Sequence, residues 1–440
     1  MRSWHATYAW LPEGVRADVR LVETDGTLTE VTHGAAPQPG DERLAGVVLP
    51  GLANGHSHAF HRVLRGRTHG DGGTFWTWRE QMYAVAARLD PDTYLALARA
   101  VYAEMALAGY TLVGEFHYVH HDPQGRPYAD PNAMGAALQQ AAEDAGIRLT
   151  LLDTLYLAGG LTAEGHTSPD GVQRRFSDGD VDAWQARVDA LRPAATSRIG
   201  AAAHSVRAVP ADALAALARA TGERPLHVHL SEQPAENAAT AAFYGRTPTQ
   251  LLDEAGLLGP RTTAVHATHL SDDDVARLGA SRTTACFCPT TERDLADGIG
   301  PARRLLDAGS PLTLGSDSQA VIDPFEELRG LEAHERLVAG ERGRCTPVQL
   351  LAAASEAGYA SLGWDGGRLA VGAPADLVVV RTDSVRTTGT RPNEVAYAAT
   401  GADVDRVVVA GRTVVRDGEH VLGDPARLLR EALDQLEARP

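Results

Sequence analysis

Leu49-Pro50-Gly51-Leu52-Ala53-Asn54-Gly55-His56-Ser57-His58 is an apolar, extended run that ends in two histidines spaced by two. Successive side chains of a strand point to opposite faces, so His56 and His58 leave the same side. Three later stretches repeat the design. Leu226-His227-Val228-His229-Leu230-Ser231-Glu232 offers an imidazole followed three residues on by a carboxylate, Val265-His266 closes a second apolar run, and Gly315-Ser316-Asp317-Ser318 closes a third. Taken singly, a strand-end His or Asp is more often a helix cap or a satisfied core residue. In the order His-x-His, His, His, Asp they point to one site.

Outward from these stretches, apolar runs alternate with alanine-rich segments of helical period over roughly 300 residues, the pattern of repeated βα units and a parallel sheet. Leu112–Phe116, Arg148–Leu152, Leu226–Leu230, Thr263–His266 and Pro311–Gly315 are such runs. About eight units close a barrel whose carboxyl-end face builds active sites, and that is where the polar residues fall. The predicted fold is therefore α/β, a TIM-like (β/α)8 barrel over residues 51–365. Both chain ends are rich in β-branched residues and turns: Asp18–Val22 alternates, Asp25-Gly26 is a hairpin signal, and Ala375–Val380 and Arg406–Val415 are strand-like. They predict a small β-sandwich domain built from residues 1–50 and 366–440. Gly159 to Asp180, rich in Gly, Ser, Asp and Thr, reads as a loop over the barrel mouth.

Composition removes several classes of function. With 44% hydrophobic and 22% charged residues, the 440-residue chain has an ordinary globular make-up. A net charge of −16 repels phosphate backbones and anionic membranes, so neither nucleic acid nor membrane is an expected partner. All 41 basic residues are arginine, which excludes Schiff-base, P-loop and carbamylated-lysine chemistry. Three cysteines, Cys286, Cys288 and Cys345, make a disulfide framework improbable and a reducing cytoplasm the expected location. Cys286-x-Cys288 is the wrong spacing for a zinc ribbon and reads as part of a buried strand.

The ordered set His56, His58, His229, His266 and Asp317 resembles the amidohydrolase superfamily, in its mononuclear deaminase branch. The likeness runs on to Gly367–Leu377, which resembles the strand that returns to that superfamily's small β domain. It implies one divalent metal held by His56, His58, His229 and Asp317, with Asp317 and His266 taking up the proton of attacking water and Glu232 protonating the departing nitrogen. Three imidazoles and a carboxylate suit Zn²⁺, although Fe²⁺ or another divalent ion fits the same donors. His227 points away from His229 along the strand and reads as a packing or supporting residue.

Longer segments, Gly55–Phe60, Phe75–Tyr83, Glu115–His121, His204–Val209, Asp297–Ile299 and Glu326–Arg329, resemble the formimidoylglutamate deiminase family of histidine degradation. That resemblance implies a small dicarboxylate substrate gripped by Arg79, Tyr118, His204 and Arg207, with His61 beside them, in a homodimeric enzyme. Guanidinium forks suit carboxylates, and fixed cations are needed where the overall field repels dianions. Three positions depart from the family pattern. His61 replaces a usual Gln, Gln319 a usual His, and Asp294 a usual Asn; a compensating exchange requires that His61 and Gln319 face each other. Two alternatives stay open. One is a deaminase of an aminopurine or pterin, which would need stacking surfaces that 5% aromatic content does not promise. The other is a catalytically silent metal- or ligand-binding protein, which the filled metal and acid–base positions disfavour.

Overall fold

Leu52–Ser57 is buried at every position and pairs in parallel with Tyr110–His117. From there the sheet continues through Arg148–Leu155, Ser197–Ala203, Leu226–Leu230, Thr262–His266 and Thr284–Phe287 to Leu312–Leu314, eight strands in all. The computed structural model describes residues 1–70 and 73–439. The two edges of the sheet meet: the Asp317 N–H donates to the His56 carbonyl at 3.0 Å and the His58 N–H to the Asp317 carbonyl at 3.2 Å. The (β/α)8 barrel thus closes through residues of the candidate metal set.

Two side-chain features fit that seam. Asn54 bridges it, with Nδ2 2.6 Å from Ser316 Oγ and Oδ1 accepting the Ser316 N–H at 2.9 Å. Gly315 permits the close approach, because a Cβ there would lie 2.7 Å from the His56 carbonyl oxygen and 2.8 Å from its nitrogen. Register also slips in the first strand between Asn54 and Ser57, a bulge of the kind that re-aims side chains beside active sites. Helices between the strands start at capping boxes such as Thr247–Gln250, Ser271–Asp274 and Thr346–Gln349.

The chain ends share a second eight-stranded sheet, joined where Leu377–Val380 pairs antiparallel with Glu42–Pro50. It curls until its edge strand, Thr27–Thr32, returns to residues 373–375, with the Leu28 N–H 2.9 Å from the Ala373 carbonyl. Trp4, Leu21, Leu44, Val48, Leu377, Val379 and Val408 fill the core so enclosed. The hairpin turn at Asp25 and Gly26 has φ of 51° and 81°, as a two-residue primed turn requires. Arg148 from the barrel meets Asp376 at 2.8 Å, a buried ion pair that ties the two sheets.

Strand structure at the C-terminus ends at His420, and the helix Pro425–Glu437 then lies against Pro91–Ala108. Its apolar face, Leu429, Ala432, Leu433 and Leu436, joins the barrel core, so the segment 366–440 also contributes a helix to the barrel. The segment 159–180 holds a short hairpin, Gly160–Thr162 with Gly165–Thr167, and a 3-10 turn, Gly171–Phe176, and it covers one side of the barrel mouth. Cys286 and Cys288 are free, buried and packed on Val265.

Candidate active site

At the carboxyl end of the barrel, His56, His58 and His229 converge with Asp317. His56 Nε2 lies 3.1 Å from His229 Nε2 and 3.3 Å from Asp317 Oδ1, and His58 Nε2 lies 3.4 Å from the same oxygen. His58 Nδ1 is 3.0 Å from the Phe116 carbonyl and His229 Nδ1 2.8 Å from the His204 carbonyl. A carbonyl only accepts, so these Nδ1 atoms carry the protons and the Nε2 lone pairs turn toward the common centre. Burial, reinforced by the neighbouring imidazoles, holds His56 and His229 well below the usual histidine range and His58 at about 3. Three neutral imidazoles and one carboxylate around a single point are a donor set that fits a divalent cation.

His266 stands beside this centre. Its Nε2 faces Glu232 Oε1 at 3.6 Å and Asp317 Oδ2 at 3.8 Å, while its Nδ1 faces Glu292 Oε1 at 3.6 Å. Burial alone would lower its pKa, but the carboxylates of Glu232, Glu292 and Asp317 outweigh it and hold His266 well above the usual value. The backbone here is strained: Ser231, His266, Ala267, Asp317 and Gln319 have φ of 50°, 69°, 47°, 39° and 61°. Non-glycine residues in the left-handed region cluster at functional sites, where the surrounding fold holds them.

Above the centre opens a cavity of about 350 Å³, the size of a small-metabolite pocket. It brings together the sequence-predicted His58, His61, Arg79, Tyr118, His204, Arg207, His229, Glu232, His266 and Asp317, while His56 lies beneath. His61 Nε2 is 3.0 Å from the Tyr118 hydroxyl. The Arg79 guanidinium lies 4.6 Å above the Trp76 ring and 5.5 Å from the Tyr83 ring, with no carboxylate partner among the described residues. Arg207 is differently placed, 3.4 Å from both Glu232 Oε2 and Glu236 Oε2.

Several features were not anticipated. Glu236 is buried in the first turn of the helix after the fifth strand, four residues past Glu232, which precedes that helix, so helical spacing gave no signal for it. Glu292 carried no sequence signal, since only the fold brings it behind His266. Low aromatic content was also misleading: Phe75, Trp76, Trp78, Tyr83, Tyr118, Tyr156 and Phe176 all line this cavity, so stacking surfaces are present. The exchange between His61 and Gln319 finds no support. Gln319 Nε2 bonds Ser57 Oγ at 2.9 Å and its Oε1 accepts from Ser316 Oγ at 2.7 Å, whereas His61 is committed to Tyr118. Asp294 bonds His69 at 2.8 Å and Arg293 bonds Glu326 at 2.8 Å, both outside the cavity lining.

A second buried cluster, His117, His120 and Asp153, also has metal-like spacing. There Asp153 already receives Arg187 through both oxygens at 2.8 Å and Trp184 Nε1 at 3.1 Å. Its charge is neutralised by Arg187, and it reads as a structural ion pair. His227, as expected, turns away from the centre and bonds the Ser361 carbonyl at 3.0 Å.

A metal-suited His/Asp centre with an adjoining His and Glu, on the carboxyl face of a (β/α)8 barrel, defines a metal-dependent hydrolase, and the chain belongs to the amidohydrolase family, whose model matches residues 47–414. Residues 1–45 match the family described as the N-terminal domain of formimidoylglutamate deiminase HutF. A formimidoylglutamate deiminase of Pseudomonas aeruginosa is 41% identical, over 96% of each chain. An 8-oxoguanine deaminase of the same species is 31% identical over 92% of this chain and 91% of that one. The crystal structure of an amidohydrolase from Brucella melitensis superposes with a TM-score of 0.90 at 32% identity, covering 100% of both chains.

Proposed function

We propose that this amidohydrolase deiminates N-formimidoyl-L-glutamate, adding water to the formimidoyl carbon and releasing ammonia and N-formyl-L-glutamate, a step of histidine degradation. The observation that carries the reading is one cavity holding a metal-suited centre, an acid–base pair and two arginines.

His56, His58, His229 and Asp317 would hold one Zn²⁺, whose Lewis acidity makes water a nucleophile near neutral pH. Asp317 and His266 take the protons that the water gives up. Ionised Glu232 pairs with the cationic amidine on binding. The water's first proton then passes from His266, whose Nε2 lies 3.6 Å from Glu232 Oε1, through Glu232 to the departing nitrogen, and Asp317 takes the remaining hydroxyl proton as nitrogen leaves as ammonia. Arg79 and Arg207 bind the two carboxylates of the substrate, and Tyr118, His204 and His61 add hydrogen bonds that fix its orientation. The domain division at residues 50 and 366 belongs to the same reading, as do a cytoplasmic location and a homodimer. No helix among the described residues is long and apolar enough to cross a membrane.

The aromatic walls of the cavity favour one second reading, a deaminase of a flat ring such as an aminopurine or pterin. Ammonia release by zinc-loaded protein given N-formimidoyl-L-glutamate, beside guanine and pterin controls, separates the two. Turnover at kcat/KM of about 10⁴ M⁻¹s⁻¹ or more with the linear amidine alone is expected. Release from a ring substrate and none from the linear one would overturn the proposal.

A further inference from the structure

A carboxylate that this reaction does not use lies directly behind His266. Glu292, 2% exposed, belongs to the helix Pro289–Asp294 that follows the seventh barrel strand. Its Oε1 accepts the Cys288 backbone N–H at 2.8 Å and lies 3.6 Å from His266 Nδ1, a buried nitrogen with no hydrogen-bond partner. On the opposite edge of the ring, Nε2 faces the carboxylates of Glu232 and Asp317. The ring is stacked on His229, with centroids 5.6 Å apart and planes 14° from parallel, which limits its rotation.

We propose that Glu292 is a positioning residue for the deimination: it holds the Nδ1 proton of His266, so that Nε2 presents its lone pair on the side where the proton of water is taken up. The inference rests on the functional reading above and deepens it.

A neutral imidazole carries one N–H, and the acceptor beside one nitrogen fixes the state of the other. Carboxylates face both nitrogens; a divalent cation held at Asp317 would offset those on the Nε2 side and disfavour a proton there, whereas Glu292, the carboxylate on the Nδ1 side, faces no such charge. When Nε2 takes a proton from water the ring becomes a cation, and the same carboxylate stabilises it without itself becoming protonated, as an orienting Asp does for His in serine hydrolases. The separation of 3.6 Å is longer than a hydrogen bond, and catalytic contacts of this kind tighten once substrate is in place. Glu292 also caps Cys288 N–H, so a purely structural role has to be separated from a positioning one.

Two substitutions do so. Glu292→Gln keeps an oxygen for both the cap and His266 and loses only the charge; Glu292→Met loses the acceptor as well. The glutamine variant is expected to lower kcat at least ~10-fold and the methionine variant ~100-fold or more, within the range of acid–base catalysis. KM should change less than about threefold in both, because substrate contacts are untouched. Independently of activity, nitrogen-15 NMR of histidine-labelled, zinc-loaded protein should give a Nδ1-protonated His266, assigned by its loss in His266→Asn. In Glu292→Met that signal should move toward the Nε2-protonated form. Wild-type turnover with unchanged kcat in both variants, or a His266 signal indifferent to Glu292→Met, overturns this inference and leaves the proposed reaction standing. Wild-type protein that releases no ammonia overturns the proposed reaction, and the nitrogen signal still decides what Glu292 does.

Discussion

The two arginines of the cavity have different surroundings, and removing each should therefore change different kinetic constants. Arg79 stacks over Trp76 and has no carboxylate partner among the described residues, so its hydrogen bonds are available to the substrate alone. A hydrogen bond to a charged group contributes about 1.5–3 kcal/mol, and 1.4 kcal/mol is tenfold in affinity. Arg79→Met is therefore expected to raise KM by about 10- to 150-fold, with kcat within about threefold of wild type, because Arg79 holds the end of the substrate remote from the reacting carbon. Arg207 instead lies 3.4 Å from both Glu232 and Glu236. Its loss strips the counter-charge from two buried carboxylates, one of them the proposed proton donor, so Arg207→Met should lower kcat as well as raise KM. Steady-state ammonia release across a range of N-formimidoyl-L-glutamate concentrations measures both. Unchanged KM in Arg79→Met, or an effect of Arg207→Met confined to KM, would refute the reasoning.

Glu232→Gln should lose about 10²- to 10⁴-fold in kcat while metal analysis finds the ion still bound; near wild-type turnover would remove Glu232 from the reaction. Gly315→Ala places a Cβ against the His56 backbone, 2.7 Å from its carbonyl oxygen, and should cost the protein its metal under dialysis that leaves wild type loaded. Retained metal would contradict the importance of that close approach. Glu236 gives a pH test. Burial, only partly offset by Arg207, raises its carboxyl to about 7, above its value in the unfolded chain, so its contribution to stability is complete at acid pH and is lost as the pH rises through 7. Relative to wild type, Glu236→Gln should gain in Tm between pH 5 and pH 8 at equal metal loading, and a difference independent of pH would contradict this.

How much of this was legible in the chain depended on where each group sits. His56, His58, His229, His266 and Asp317 end apolar strands, and strand period plus barrel polarity reaches such positions from sequence. The terminal sheet was legible for the same reason, down to the Asp25-Gly26 turn. Helix-borne groups were harder. Glu236 and Glu292 acquire meaning only from side chains far away in sequence, Arg207 and His266. Average composition could not reveal that one cavity gathers so many of the aromatic residues. Left-handed φ at Ser231, His266, Asp317 and Gln319 leaves no trace in residue type, since these are not glycines. The last helix, Pro425–Glu437, joined the barrel because its one apolar face finds Pro91–Ala108, a choice that depends on tertiary packing.

The central claim is that water attacks the formimidoyl carbon and nitrogen leaves. Mass analysis of the product formed by zinc-loaded protein from N-formimidoyl-L-glutamate in oxygen-18 water tests it most directly. The account requires N-formyl-L-glutamate carrying one labelled oxygen, with one ammonia released for each product molecule. Free glutamate with formamide, or N-formyl-L-glutamate whose formyl group carries no label, would contradict it.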